Sequence, residues 1–194
     1  MKMLRTLLAA ALATLPLLFA PRAQAHEATY FAQLVDPNNA GSFLGTAYVT
    51  LDLDIVTMDV VVNFAGLPGT VTGAHIHAAT ATPFTGDAIV ATTLSEFPTG
   101  VISGSYSRLF DLTVASTYDP GFIAASGGTV SNALNALDFA MDDGKAYLDI
   151  HTTAFPNGEI RGFLAPVSAP EPGTLALLGL AVVPAVVLRR RRHS

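Results

Sequence analysis

Apolar and polar positions alternate through most of the middle of this chain. Residues 29–35 (TYFAQLV) read as a first strand, closed by the turn signal Asp36-Pro37-Asn38-Asn39. A long alternating run follows at 43–55. Ala47, Val49, Leu51, Leu53 and Ile55 fall on one face, with Tyr48, Thr50, Asp52 and Asp54 on the other, because successive strand side chains point to opposite faces. Residues 58–64 are placed to fold back on that run as a hairpin. Gly66-Leu67-Pro68-Gly69 then turns the chain into 71–78 (VTGAHIHA), and 83–87 is a loop. Further strands are expected at 88–94 and 101–112, the latter with Gly104 as a candidate bulge. At 130–141 the period changes. Val130, Ala133, Leu134, Leu137 and Met141 recur at helical spacing, with Thr129 or Ser131 available as a cap and Gly144 as a stop. This predicts one helix in the folded region. Strands at about ten-residue intervals with glycine and proline turns predict an all-β fold, an antiparallel β-sandwich with one short helix.

Two of the alternating stretches carry the polar chemistry. His75 and His77 share a face, with Ala74 and Ile76 behind them. In 144–162 (GKAYLDIHTTAFPNGEIRG), Tyr147, Asp149 and His151 share a face opposite Leu148 and Ile150. After a turn at Pro156-Asn157-Gly158, Glu159 and Arg161 line up together with Ile160 on the other side. If the aliphatic faces meet in one core, the polar faces merge into three histidines, two acids and an arginine. Imidazoles two apart on a strand, joined by a third from another strand, suit zinc or copper. His75, His77 and His151 are the candidate ligands. Asp149 and Glu159 are placed to complete or support the set, and Arg161 lies alongside. The same residues also read as a hydrogen-bonded network that organises a polar sheet face without metal. Glu159 and Arg161 as an exposed pair would contribute only ~0–1 kcal/mol.

Both ends of the chain look like delivery signals. Residues 1–25 have a basic start (Lys2, Arg5), an apolar stretch over 7–20 and the small-x-small sequence Ala23-Gln24-Ala25, the pattern of a secretory signal peptide. The folded domain is then 26–168. In it 14 acidic side chains face three basic ones, Arg108, Lys145 and Arg161, a net charge of −11 with histidine neutral. No basic patch is present to release phosphate counterions, so nucleic acid is excluded as a partner. The chain has no cysteine and so relies on core burial for stability. Cleavage after Ala25 would make His26 the amino terminus, where amine and imidazole together form a copper chelate like that of lytic polysaccharide monooxygenases. The absence of tryptophan argues against that chemistry. Asp142-Asp143-Gly144 lacks the spaced acids of a calcium loop. No nucleophile elbow, phosphate loop or dinucleotide fingerprint is present.

At the other end, Ala169-Pro170-Glu171-Pro172-Gly173 precedes an apolar run over 174–188 and the cluster Arg189 to Arg192. This stretch, 169–194, resembles the PEP-CTERM sorting signal, with Pro170, Glu171 and Pro172 as its motif. The resemblance implies a Gram-negative bacterium, transient anchoring in the inner membrane with the basic end cytoplasmic, and processing by an exosortase after signal peptidase has acted. Across the domain, Ala74-His75-Ile76-His77, Tyr147-x-x-x-His151-Thr152 and Pro156-Asn157-Gly158-Glu159-Ile160-Arg161-Gly162 resemble the CHRD domain. The similarity extends over most of 29–164. The loop after His77 departs from it in being threonine-rich, with Asp87 where proline is more usual. The resemblance implies an extracellular β-sandwich with no established reaction in bacterial members. A His-x-His strand is also similar to one in copper/zinc superoxide dismutase. The expected role is non-catalytic binding or scaffolding at the cell surface or in an exopolysaccharide matrix. The competing expectation is a secreted copper or zinc protein, redox-active with copper.

Overall fold

The computed structural model describes residues 26–37 and 41–167. The signal-peptide and sorting-signal readings, 1–25 and 169–194, lie outside the described residues, as do Asn38 and Asn39 of the first predicted turn. Among the described residues no helix is long and apolar enough to cross a membrane.

Among the described residues, nine strands and two α-helices follow one another: β1 (Glu27–Asp36), β2 (Ser42–Asp52), β3 (Thr57–Phe64), β4 (Val71–His77), β5 (Val90–Thr93), β6 (Gly104–Asp111), α1 (Pro120–Ala125), α2 (Val130–Asp142), β7 (Tyr147–Thr152), β8 (Ile160–Phe163) and β9 (Ala165–Pro166). Every pairing is antiparallel. The fold is all-β as predicted, but the strands form one curled sheet in the order β5-β4-β7-β8-β1-β2-β3-β6, with β9 also on β1. The expectation of two stacked sheets is corrected on this point. The join is made by the last strands. β8 pairs with β7 along its length and touches β1 at Val35↔Arg161, and β9 pairs with β1 at Tyr30↔Pro166 and Phe31↔Ala165. The approach is close enough at Gly162 that a Cβ there would collide with the carbonyl oxygen of Gln33.

Curling lets one face of the sheet bury its alternate residues in a single core. Tyr30, Ala32 and Leu34 of β1, Ala47, Val49 and Leu51 of β2, and Met58, Val60 and Val62 of β3 meet Ala74 and Ile76 of β4 and Leu148 and Ile150 of β7. α2 covers the core with Ala133, Leu137, Ala140 and Met141. Each large aliphatic chain taken from water contributes about 1.5–3 kcal/mol. Thr129, rather than Ser131, caps α2 by accepting from Asn132 N at 3.2 Å.

Three local expectations change. Leu53 and Ile55 do not join the core and are 36% and 66% exposed. β2 ends at Asp52, whose Oδ1 accepts from the backbone of Asp54 at 2.9 Å and Ile55 at 3.2 Å, pulling the chain into a turn. α1 is a second helix, started by Asp119, which accepts from Gly121 N at 2.7 Å, with Pro120 in the first turn. Gly104 opens β6 in unbroken register with β3. The register shifts lie instead between Leu34 and Val35, Ile76 and His77, and Val71 and Gly73.

Candidate metal centre

The site is built where β4 and β7 run side by side. Their register sets His75 opposite Asp149, Gly73 opposite His151 and His77 opposite Tyr147. Alternation along each strand then puts His75, His77, Asp149 and His151 on the face away from Ala74, Ile76, Leu148 and Ile150. Asp149 stands in the middle and is 4% exposed. His75 Nδ1 lies 3.7 Å from Asp149 Oδ1, while His77 Nε2 and His151 Nε2 lie 3.3 and 3.1 Å from Asp149 Oδ2.

The far nitrogens of two rings define their chemistry. His77 Nδ1 is 2.9 Å from the carbonyl oxygen of Ala88, and His151 Nδ1 is 2.8 Å from that of Pro156. A carbonyl only accepts, so each Nδ1 carries a hydrogen and each neutral ring presents an Nε2 lone pair inward. Those lone pairs face a carboxylate that is itself an acceptor. His75 Nδ1, His77 Nε2, His151 Nε2 and Asp149 Oδ1 are buried and make no hydrogen bond among the described residues. Acceptors crowded together in this way call for a positive species between them, a proton or a metal cation.

The spacing suits a metal. A tetrahedral ion with bonds of ~2.0–2.1 Å has ligand–ligand edges of about 3.3–3.4 Å. The three contacts to Asp149 bracket that value, and all four donor atoms lie within 4.8 Å of one another. Three nitrogens and one oxygen form a set that zinc and copper accept. The carbonyls of Ala88 and Pro156 hold the rings as outer partners of ligating histidines commonly do. Burial alone would raise the pKa of Asp149. Hydrogen bonds from His151, His75 and His77, donated once those rings are protonated, outweigh it and hold the carboxyl well below the usual carboxylate range. His151 is pushed up by the Asp149 carboxylate, against the lowering effect of burial and with help from the Pro156 carbonyl.

Of the six polar residues expected to merge, these four come together. Arg161 faces Asp149 across the strand pair but reaches to Asp87 Oδ1 at 2.7 Å and toward Gly86 O at 3.5 Å. Its guanidinium lies over the Tyr147 ring at 5.2 Å, and that ring stacks on His77 with centroids 4.7 Å apart. Glu159 stands apart. β8 begins only at Ile160, so Glu159 belongs to the preceding turn and its side chain enters the buried side. There Oε2 accepts from Gly69 N at 3.1 Å and from Thr152 Oγ1. His26 pairs with Asp54, Nδ1 to Oδ1 at 3.5 Å, beside the β2–β3 turn. The ring-holding carbonyls of Ala88 and Pro156 carry no side-chain signal and were not legible in the sequence. A cavity of about 510 Å³ opens beside the cluster, lined by His77, Asp149 and His151 and by Arg161, Asp87 and Asn157.

No curated protein and no solved structure matches the chain. Comparison with protein families matches residues 30–164 to the CHRD domain. That span runs from β1 through β8 and includes both histidine strands, and the chain therefore belongs to the CHRD domain family.

Proposed function

We propose that this is an exported binding protein whose CHRD domain holds one transition-metal ion, zinc or copper, through His75, His77, His151 and Asp149. The observation that carries the reading is the set of buried donor atoms turned toward one another without hydrogen bonds, with two rings fixed from behind by main-chain carbonyls. Zinc there would tie β4 to β7 and stiffen the sheet. Copper in the same donors would add one-electron chemistry. The role favoured is non-catalytic, binding or scaffolding at the cell envelope or in an exopolysaccharide matrix, because the protein itself supplies four donors and leaves only an added fifth position for a further ligand. Export rests on the signal-peptide pattern of 1–25, and sorting by an exosortase on Pro170-Glu171-Pro172 with the apolar and arginine segments behind it. Elemental analysis of the full chain, purified without a histidine tag, tests the metal reading. Near-stoichiometric zinc or copper, lost in His77→Ala, is expected. Wild-type protein that stays empty after dialysis against both metals overturns it.

A further inference from the structure

We infer that the cavity beside His77 and His151 admits a carboxylate-bearing small molecule, whose carboxylate reaches the metal and is gripped by Arg161. The inference rests on the metal-centre reading and gives that site a ligand class.

The first support is the position of Arg161. It stands directly opposite Asp149, where cross-strand Cβ atoms are about 4.5–5.5 Å apart and opposite charges ordinarily pair. That pair is not made. Asp149 is turned to the histidines, and Arg161 is held by Asp87 and by stacking over Tyr147. Only its Nη1 is engaged. Its Nε and Nη2, like the Asn157 carboxamide, make no hydrogen bond among the described residues, and both side chains line the cavity. A planar guanidinium with open donors, immobilised on an aromatic ring, is suited to hold a carboxylate.

Charge points the same way. A divalent ion plus Arg161, set against Asp87 and Asp149, leaves the cavity one net positive charge. It sits in a domain with 14 acidic and three basic side chains. Such a local reversal of sign steers anions inward. The cavity, at about 510 Å³, falls within the size range of small-molecule sites. Pro37 adds an apolar wall, which suits an organic body rather than a bare inorganic ion. A tetrahedral zinc-type ion can accept a fifth ligand, so the carboxylate need not displace a histidine.

The test uses the full chain without a histidine tag, loaded with cobalt(II), whose visible bands report its ligands. Acetate, D-glucuronate and D-glucose are titrated at constant ionic strength. Both carboxylates should shift the bands saturably, glucuronate at lower concentration than acetate, and glucose should not. Arg161→Gln should raise the glucuronate Kd at least tenfold. Asp87→Asn, which frees the guanidinium, should lower it severalfold. Stoichiometric cobalt with bands unmoved by either carboxylate overturns this inference and leaves the metal centre standing. Glucose acting like glucuronate also overturns it, as does an Asp87→Asn chain that binds glucuronate no more tightly than wild type. A wild-type chain that takes up no cobalt overturns the metal centre, and this inference with it.

Discussion

Replacing Asp149 by asparagine separates a metal centre from a purely structural histidine–aspartate network. The substitution keeps the shape of the side chain and exchanges a charged acceptor for an amide. In the metal-free protein above the titration of His151, Asp149 Oδ2 faces two Nε2 lone pairs at 3.3 and 3.1 Å. An amide nitrogen at that position has two hydrogens and offers one to each ring, at distances close to ordinary hydrogen bonds. Each new bond is worth about 0.5–1.5 kcal/mol, so metal-free Asp149→Asn gains about 1–3 kcal/mol. For a domain of this size that is a rise in Tm of about 3–12 °C. Metal affinity moves the other way. Loss of an outer partner of a ligand already costs 10–100-fold, so loss of a charged ligand should cost at least ~100-fold. The assay is thermal unfolding at pH 8 in chelator, paired with zinc titration of both proteins. If the network is instead a buried ion pair kept for stability, removing the charge costs about 3–5 kcal/mol. A metal-free variant destabilised to that degree refutes the reasoning.

Glu159→Ala removes the acceptor for Gly69 N and Thr152 Oγ1, and should cost about 2–3 kcal/mol in denaturant unfolding with metal stoichiometry intact; lost metal with unchanged stability would contradict its placement apart from the centre. Gly162→Ala drives a Cβ into the Gln33 carbonyl and should cost about 3 kcal/mol or more, whereas a variant as stable as wild type would contradict the β8–β1 contact. In alkali, burial pushes the Tyr106 phenol up to about 12, and burial with the Asp142 hydrogen bond raises Tyr30 as well. Their unfolded counterparts ionise near 10. The stability they contribute is therefore fully present below pH 10 and lost as pH rises above it, for Tyr106 between about 10 and 12; a Tm that stays level between pH 9 and 11.5 would contradict those shifts.

The strands were legible because their apolar residues keep a strict period of two, and the same period placed His75 beside His77 and Asp149 beside His151. The join of the two halves of the sheet through β8 and β1 was not legible. It depends on one close approach at Gly162 and on a register that only the folded β1 supplies. Leu53 and Ile55 continued the alternation of β2 in the sequence, but the Asp52 side chain captured the backbone just before them. α1 is too short to show a helical period, and only the cap at Asp119-Pro120 marked it. Strand alternation puts Glu159 on the histidine face, yet it precedes β8 and turns to the opposite side, where it meets Gly69 N and Thr152 Oγ1. Asp149, placed by alternation to complete or support the histidine set, stands at its centre because β4 sets His75 opposite it and His77 within reach.

The most direct measurement is a crystal structure of zinc-loaded protein with anomalous data at the zinc edge. The account predicts one peak within about 2.0–2.2 Å of His75 Nδ1, His77 Nε2, His151 Nε2 and an oxygen of Asp149. A loaded crystal with no peak there, and the imidazoles hydrogen-bonded directly to the carboxylate, would contradict it.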